Sequence, residues 1–285
     1  MAALAFFPRC EYNRENAAKE GMSMFSKEER CLYRNNQLGD VICQLRFPEI
    51  LSIGTTVPAV FQEAIRDKFP QYAARQEAPA PKITGAPGNF SLQNQPHTVN
   101  YQFTSADGNW RVNLTSKFIS LACRRYTGWE DFAKMLDKPL AAFIQTYRPA
   151  YFERVGLRYL NFISRRDLQI EDIPFAELIS PCYLGPLAEE EISEQGAHRC
   201  TVEADLALRS SCRVKIHAGP GKIQRSGTQQ DQEVKFIFDM DLYLPGKVEV
   251  NYSAGALQML HGNAYPIFRG AISDQLHHAM EPISI

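Results

Sequence analysis

Phe152-Glu-Arg-Val-Gly-Leu-Arg-Tyr-Leu-Asn-Phe-Ile-Ser164 reads as a strand, with Val155, Leu157, Tyr159 and Ile163 on one face. Its place in the chain decides the fold. Before it, the sequence runs strand, helix, loop, three strands, helix. From Phe152 onward the same order begins again. Asp40-Val-Ile-Cys-Gln-Leu-Arg-Phe47 is its counterpart, with Val41, Cys43, Leu45 and Phe47 alternating and Pro48 as a stop.

In the first copy, Pro58 opens a helix in which Phe61, Ile65 and Phe69 fall at i, i+4, i+8, a stripe that faces a core. Residues 71–97, rich in Pro, Gly, Ala and Gln, are expected to form a long loop. Thr98–Ser105 places Val99, Tyr101 and Phe103 inward, and Asp107-Gly108 signals a hairpin turn. Trp110, Val112 and Leu114 mark the return strand, and Phe118–Tyr126 a third. A helix from Trp129 carries Phe132, Leu136, Phe143 and Tyr147, with Pro139 predicting a kink and Pro149 a stop.

The second copy continues with a short helix at Pro174–Ile179, a loop at 180–198, and strands at Arg199–Arg209, Cys212–His217 and Val234–Leu244. A long, mobile hairpin loop is expected at 218–233. One C-terminal helix is expected after Tyr252, carrying Leu257, Leu260, Phe268, Ile272 and Leu276. The expected fold is α+β: antiparallel sheets with packed helices, in two similar strand–helix–three-strand–helix halves. Residues 31–150 form one half and 151–285 the other, docked tightly as one large sheet or closing towards a barrel. Residues 1–30 read as a flexible or over-extended N-terminus, with Met1 and Met22 as alternative starts.

Bulk composition narrows the function classes. The chain has 285 residues, 45% hydrophobic and 22% charged, with formal net charge −1. Such a chain has no global field to attract nucleic acid or anionic lipid. No apolar run approaches the ~18 residues of a membrane span. The apolar start lacks a basic n-region and meets Pro8 and Arg9 at once, unlike a signal peptide. The seven cysteines include no CxxC, and Cys43, Cys123, Cys200 and Cys212 fall in phase with apolar strand residues. Buried thiols of this kind suit a reducing, cytoplasmic setting.

Several stretches resemble a known family. They are Tyr33–Leu38, Val41–Pro48, Pro58–Glu63, Trp110–Leu121, Tyr126–Phe132, Leu260-His261 and, most specific, Arg154-Val-Gly-Leu-Arg-Tyr-Leu-Asn161. The chain is similar there to the sporadically distributed bacterial proteins with no assigned function. That resemblance implies a bacterial cytosolic protein, with a patchy distribution that suits mobile or accessory modules such as defence or toxin–antitoxin systems. It implies no substrate, cofactor or catalytic residue.

Arg154, Arg158 and Asn161 are the candidate ligand-binding residues. Two guanidinium groups on one strand face, with Gly156 between them, form a notch that can clamp phosphate or carboxylate. The competing reading pairs them with acids on neighbouring strands and lets Gly156 mark close packing. Leu157, Tyr159 and Leu160 argue that Arg158 is covered and internally paired, with Arg154 the more exposed. Asp239 and Asp241 share a sheet face with Glu203, Asp205, Arg213, Lys215, His217 and Lys235. Asp239, Asp241, Glu203 and Asp205 could hold Mg²⁺ or Mn²⁺ for a phosphate-containing ligand. Alternatively, that face is solvated and its charges pair across strands.

His261 on the last helix reads as a satisfied core histidine rather than half of a cysteine dyad. His277-His278 reads as a frayed helix end. Gly219-Pro-Gly-Lys222 lacks the spacing of a phosphate loop. The favoured function is a non-catalytic binding or accessory protein that acts through a protein partner, without a cofactor, and a homo-oligomer is compatible with it. The rival is a metal-dependent enzyme at the charged face. Nucleic-acid binding would need the arginines at 46, 124, 125, 154, 158, 165 and 166 to form one stripe, and strand parity divides them.

Overall fold

The computed structural model describes residues 24–77, 82–86, 89–93, 98–224 and 231–284. The expectations for Met1 and Met22 and for the centre of the 218–233 loop lie outside the described residues.

The first half starts with β1 (Cys31–Tyr33) and β2 (Leu38–Arg46), followed by short helices α1 (Leu51–Thr55) and α2 (Ala59–Ile65). Strand β3 (Gln71–Glu77) and a hairpin of β4 (Lys82–Ala86) and β5 (Asn89–Gln93) come next. Then β6 (Thr98–Thr104), β7 (Trp110–Leu114) and β8 (Phe118–Cys123) lead into α3 (Trp129–Tyr147). The second half repeats the order with β9 (Phe152–Ile163), α4 (Phe175–Leu178), α5 (Pro181–Leu184), β10 (Val202–Ala207), β11 (Arg213–Gly221), β12 (Lys235–Val248) and α6 (Ser253–Ala271). Helix α7 (Asp274–Ala279) and β13 (Pro282–Ser284) close the chain.

The two halves form one nine-stranded antiparallel sheet in the order β10-β11-β12-β9-β2-β8-β7-β6-β3. Its centre is the pairing of β2 with β9, in which Cys43 faces Leu157 and Leu45 faces Val155. From that seam the strand order runs outward alike on both sides, β8-β7-β6 in one direction and β12-β11-β10 in the other. The sheet stays open, because β10 and β3 end it at opposite edges rather than meeting as a barrel would require.

One face of the sheet carries the core. Val41, Cys43, Leu45, Val112, Leu121, Leu157, Phe238 and Leu242 are buried there, as period-two alternation requires. Ring contacts place α2 to α6 over that same face: Phe61 on Phe103, Phe132 on Trp110, Phe175 on Phe236, Tyr183 on Phe238 and Phe268 on Phe238. The opposite face has polar and charged side chains, so the sheet has one helix-covered and one open side.

Several expectations need correction. Residues 71–77 form an edge strand rather than loop, in register with β6. Its small and polar residues gave no alternation to read, because all seven are exposed. The 218–233 loop shrinks at its start, since β11 runs to Gly221, while β12 starts at Lys235, one residue later than expected. Residues 180–198 contain α5 and two 3₁₀ turns. Pro139 sits inside an uninterrupted α3. The C-terminal helix breaks at Ile272, where Ser273 caps α7 by accepting a hydrogen bond from the Leu276 N–H.

The terminal segments are also tied down. Glu28 pairs with the buried Arg269 of α6 at 2.7 Å, and the Ser26 N–H donates to the Pro266 carbonyl. Strand β1 pairs with β13. Residues 24–33 therefore pack with the second half rather than trailing as part of a flexible leader. His277, expected at a frayed end, is hydrogen-bonded to the Tyr33 hydroxyl at 2.9 Å.

Candidate functional site

Strand parity puts Arg154, Gly156 and Arg158 of β9 on the open face, beside Asp239, Asp241 and Tyr243 of β12. Arg158 lies directly opposite Asp241 in register, yet it reaches diagonally to Asp239, at 2.8 and 2.5 Å. Arg154 reaches farther along the sheet and grips both oxygens of Asp241, at 2.6 and 2.7 Å. Its guanidinium lies 4.5 Å from the ring centre of Tyr243, which faces Gly156.

Gly156 therefore has a specific role. A Cβ there would sit 2.2 Å from Arg154 Nη1, so the notch between the two arginines is filled by the side chain of Arg154 itself. Any larger residue would lift Arg154 off Tyr243 and away from Asp241. The Arg-x-Gly-x-Arg spacing is the geometry of a cross-strand ladder, with charge-assisted bidentate bonds as its rungs.

The expected order of exposure is reversed. Arg154 is 19% exposed and Arg158 44%. Leu157 and Tyr159 are covered, but on the helix side, and so tell nothing about Arg158. Arg154→Leu is expected to cost about 2–3 kcal/mol and Arg158→Leu about 1 kcal/mol, because Arg154 is the more deeply covered cation and loses its contact with the Tyr243 ring as well as its pair with Asp241. Urea denaturation of the two variants checks this, and a larger loss for Arg158→Leu would contradict it.

The same face continues over β11 and β10. Arg213 pairs with Asp205 at 2.9 Å, His217 lies 3.3 Å from Glu203, and the Tyr243 hydroxyl donates to Asp205 at 3.3 Å. Lys235 pairs instead with Asp231 and Glu233. Arg158, Glu203, Asp205, Lys215, Asp239 and Asp241 line a broad groove of about 640 Å³. The four candidate metal ligands thus share one groove, but each carboxylate already faces a basic partner. Among the described residues no three His, Cys, Asp or Glu side chains converge as a metal site.

Asn161, by contrast, is on the helix-covered side, where its amide donates to the Phe238 carbonyl at 3.1 Å. It does not join the arginines. It lines a small cavity of about 100 Å³ together with Tyr159, Tyr126, Tyr33, Met240 and His261. His261 stacks on Trp129, with ring centres 4.5 Å apart and planes within 8°. Its Nδ1 is hydrogen-bonded to the Tyr159 hydroxyl at 2.8 Å, while its Nε2 is buried with no partner. The expected core histidine is thus satisfied on one side only. Burial, helped by the charge of Arg30, pulls its pKa down to about 4. Cys43 and Cys123 face the same core, and burial raises both thiols, which leaves them poor nucleophiles.

Gly219-Pro-Gly-Lys222 is the end of β11 and the residue after it, not a phosphate cradle. A Cβ at Gly219 would lie 2.4 Å from the Cys200 carbonyl oxygen. Glycine stands there because two backbones approach closely.

The first half presents a feature of its own on the open face. Arg75 of β3, Arg111 of β7 and Arg124 just after β8 line one cavity with Asp40, Gln102 and Asn109. Arg75 escapes the sequence pattern because it falls in the stretch that reads as loop. Arg111 escapes it because Trp110, Val112 and Leu114 draw attention to the other face. Alternation itself is the usable signal, since it puts Arg111 on the open side.

No protein-family model matches the chain, and no curated protein matches it either.

Proposed function

We propose that the protein is a non-catalytic binding or accessory protein that works through a protein partner docked on the open face of its sheet. The observation that carries this reading is the pairing on that face. Asp241 is held by Arg154, Asp239 by Arg158 and Asp205 by Arg213, and Glu203 lies beside His217. Carboxylates committed to cross-strand ladders give a rigid, patterned surface instead of a free ligand set. Such a surface offers charge complementarity for specificity. The resemblance noted in the sequence supports a bacterial cytosolic setting, in a defence or toxin–antitoxin-like module.

Two measurements test the reading. Full-length protein isolated from its host should co-purify with a protein, and the charge reversals Arg213→Glu and Lys215→Glu should release it. Retention of the partner by that double variant would remove the open face from the interface. Added Mg²⁺ or Mn²⁺ should leave the melting temperature unchanged. A ligand at 100 times its dissociation constant stabilises by about 2.7 kcal/mol. A shift of that size, lost in Asp239→Asn plus Asp241→Asn, would favour a metal-dependent enzyme instead.

A further inference from the structure

We infer that the open face of the first half holds a binding site for a phosphoryl oxyanion, formed by Arg75, Arg111 and Arg124. The three arginines belong to different parts of the sheet. Arg111 stands on β7, opposite Thr104 of β6 and Ala122 of β8. Arg124 follows the end of β8, where its backbone N–H donates to the Asn109 carbonyl. Arg75 comes from the edge strand β3, opposite Asn100. They line one cavity of about 380 Å³. The methyl side chain of Ala122 leaves depth beside Arg111, and Gln102, Thr104 and Asn109 add side-chain hydrogen-bonding groups to the wall.

The charge of this cavity is unbalanced. Three guanidinium groups face one carboxylate, Asp40, a lining charge of +2 from three positive and one negative. Asp40 makes no ion pair with any of them, nor does any other carboxylate among the described residues. The contrast with the second half is sharp, since Arg154, Arg158 and Arg213 on the same sheet face each hold an aspartate.

Arg111 shows the imbalance most directly. Its Nε is shielded from solvent and has no hydrogen-bond partner. Burial first, then the charges of Arg124 and Arg75, pull its guanidinium below the ordinary arginine value. A buried donor without an acceptor is costly, and mutually repelling cations add to that cost. An incoming anion relieves both.

The chemistry of the cavity selects the anion. Arginine forks match the oxygens of phosphate or carboxylate in pairs, and stay charged at any physiological pH. A carboxylate brings one negative charge, whereas a phosphate or phosphomonoester dianion brings two and cancels the lining charge of +2. Its oxygens are also numerous enough to meet three forks at once. The ligand is therefore inorganic phosphate or a small phosphomonoester, and the site stands independently of any protein docked on the second half.

Titration calorimetry and thermal melts of the full-length protein test this, with inorganic phosphate and with AMP against sodium chloride at matched ionic strength. Wild type should bind saturably, and Arg111→Met and Arg124→Gln should each weaken binding at least tenfold. Without ligand, neither variant should melt lower than wild type, because one of three repelling cations is gone. Tighter binding of AMP would assign a phosphomonoester, and tighter binding of phosphate the free ion. Arg124 is exposed, so its variant keeps the test valid if Arg111→Met folds poorly. No response beyond that of chloride would overturn the assignment. So would equal affinity in wild type and the Arg124→Gln protein.

Discussion

Replacing Phe61 with alanine is expected to cost about 3–5 kcal/mol in chemical denaturation, the range for truncating a fully buried aromatic side chain. Helix α2 has seven residues and no side-chain cap. A helix that short has no stability of its own and depends on packing. Phe61 supplies that packing. It is 0% exposed, and its ring meets Phe103 of β6 at 5.4 Å and Tyr147 of α3 at 6.4 Å. Tyr147 in turn contacts Phe143, which contacts Phe47 at the end of β2. Truncation opens a cavity between a strand and a long helix, neither of which can move in to fill it. A loss below roughly 1 kcal/mol would show that α2 is not packed in this way.

Phe61 also illustrates what the sequence made legible. The stripe Phe61, Ile65, Phe69 predicts a core-facing helix, and all three are fully buried. The alternation of β2, β6, β7, β9 and β12 predicts the inner face residue by residue, because one side of the sheet is apolar and the other polar. Strand β3 was not legible: an exposed edge strand has no buried side, so burial imposes no period on it. Helix α1 was hidden for a related reason, since Ile53 is its one buried residue. The break between α6 and α7 was masked because apolar spacing runs on through Ile272 and Leu276, both buried.

The sites divide along the same line. Parity alone groups Asp239 and Asp241 with Glu203, Asp205, Arg213, Lys215 and His217, and the register bears that grouping out. Parity also separates Asn161 from Arg154 and Arg158, because an odd offset along a strand changes the face. What no pattern supplies is the direction a long side chain takes. Arg154 bypasses its cross-strand neighbour, folds over Gly156 and reaches Asp241. Its burial follows from that path, not from the residues beside it in sequence. The arginine cavity likewise depends on three strands from separate stretches of chain, one of which was not legible as a strand.

Lowering the pH from 7 towards 4 is expected to remove about 3 kcal/mol of stability through His261 alone. The imidazole is held neutral: its pKa falls to about 4, mainly through burial and further through the charge of Arg30, with Glu130 opposing. In the unfolded chain it returns to about 6.5. Above 6.5 the ring is neutral in both states and the contribution is fully present. Between 6.5 and 4 the unfolded chain binds a proton that the fold resists, so stability falls as pH falls. Two and a half units at 1.36 kcal/mol each give the magnitude. The groups around the ring do not compensate. Trp129 stacks on it without titrating, and the Tyr159 phenol is held protonated by its own burial. His277, also shifted down by burial, adds to the wild-type slope in the same window, so the comparison must be made against a variant. In His261→Asn the short amide can still meet the Tyr159 hydroxyl but does not titrate. Its stability at pH 7 will be lower, yet between pH 7 and 4.5 it should lose about 2 kcal/mol less than wild type. Parallel stability curves for the two proteins would mean that the buried ring accepts its proton freely, and that the unpartnered Nε2 faces solvent more than its burial implies.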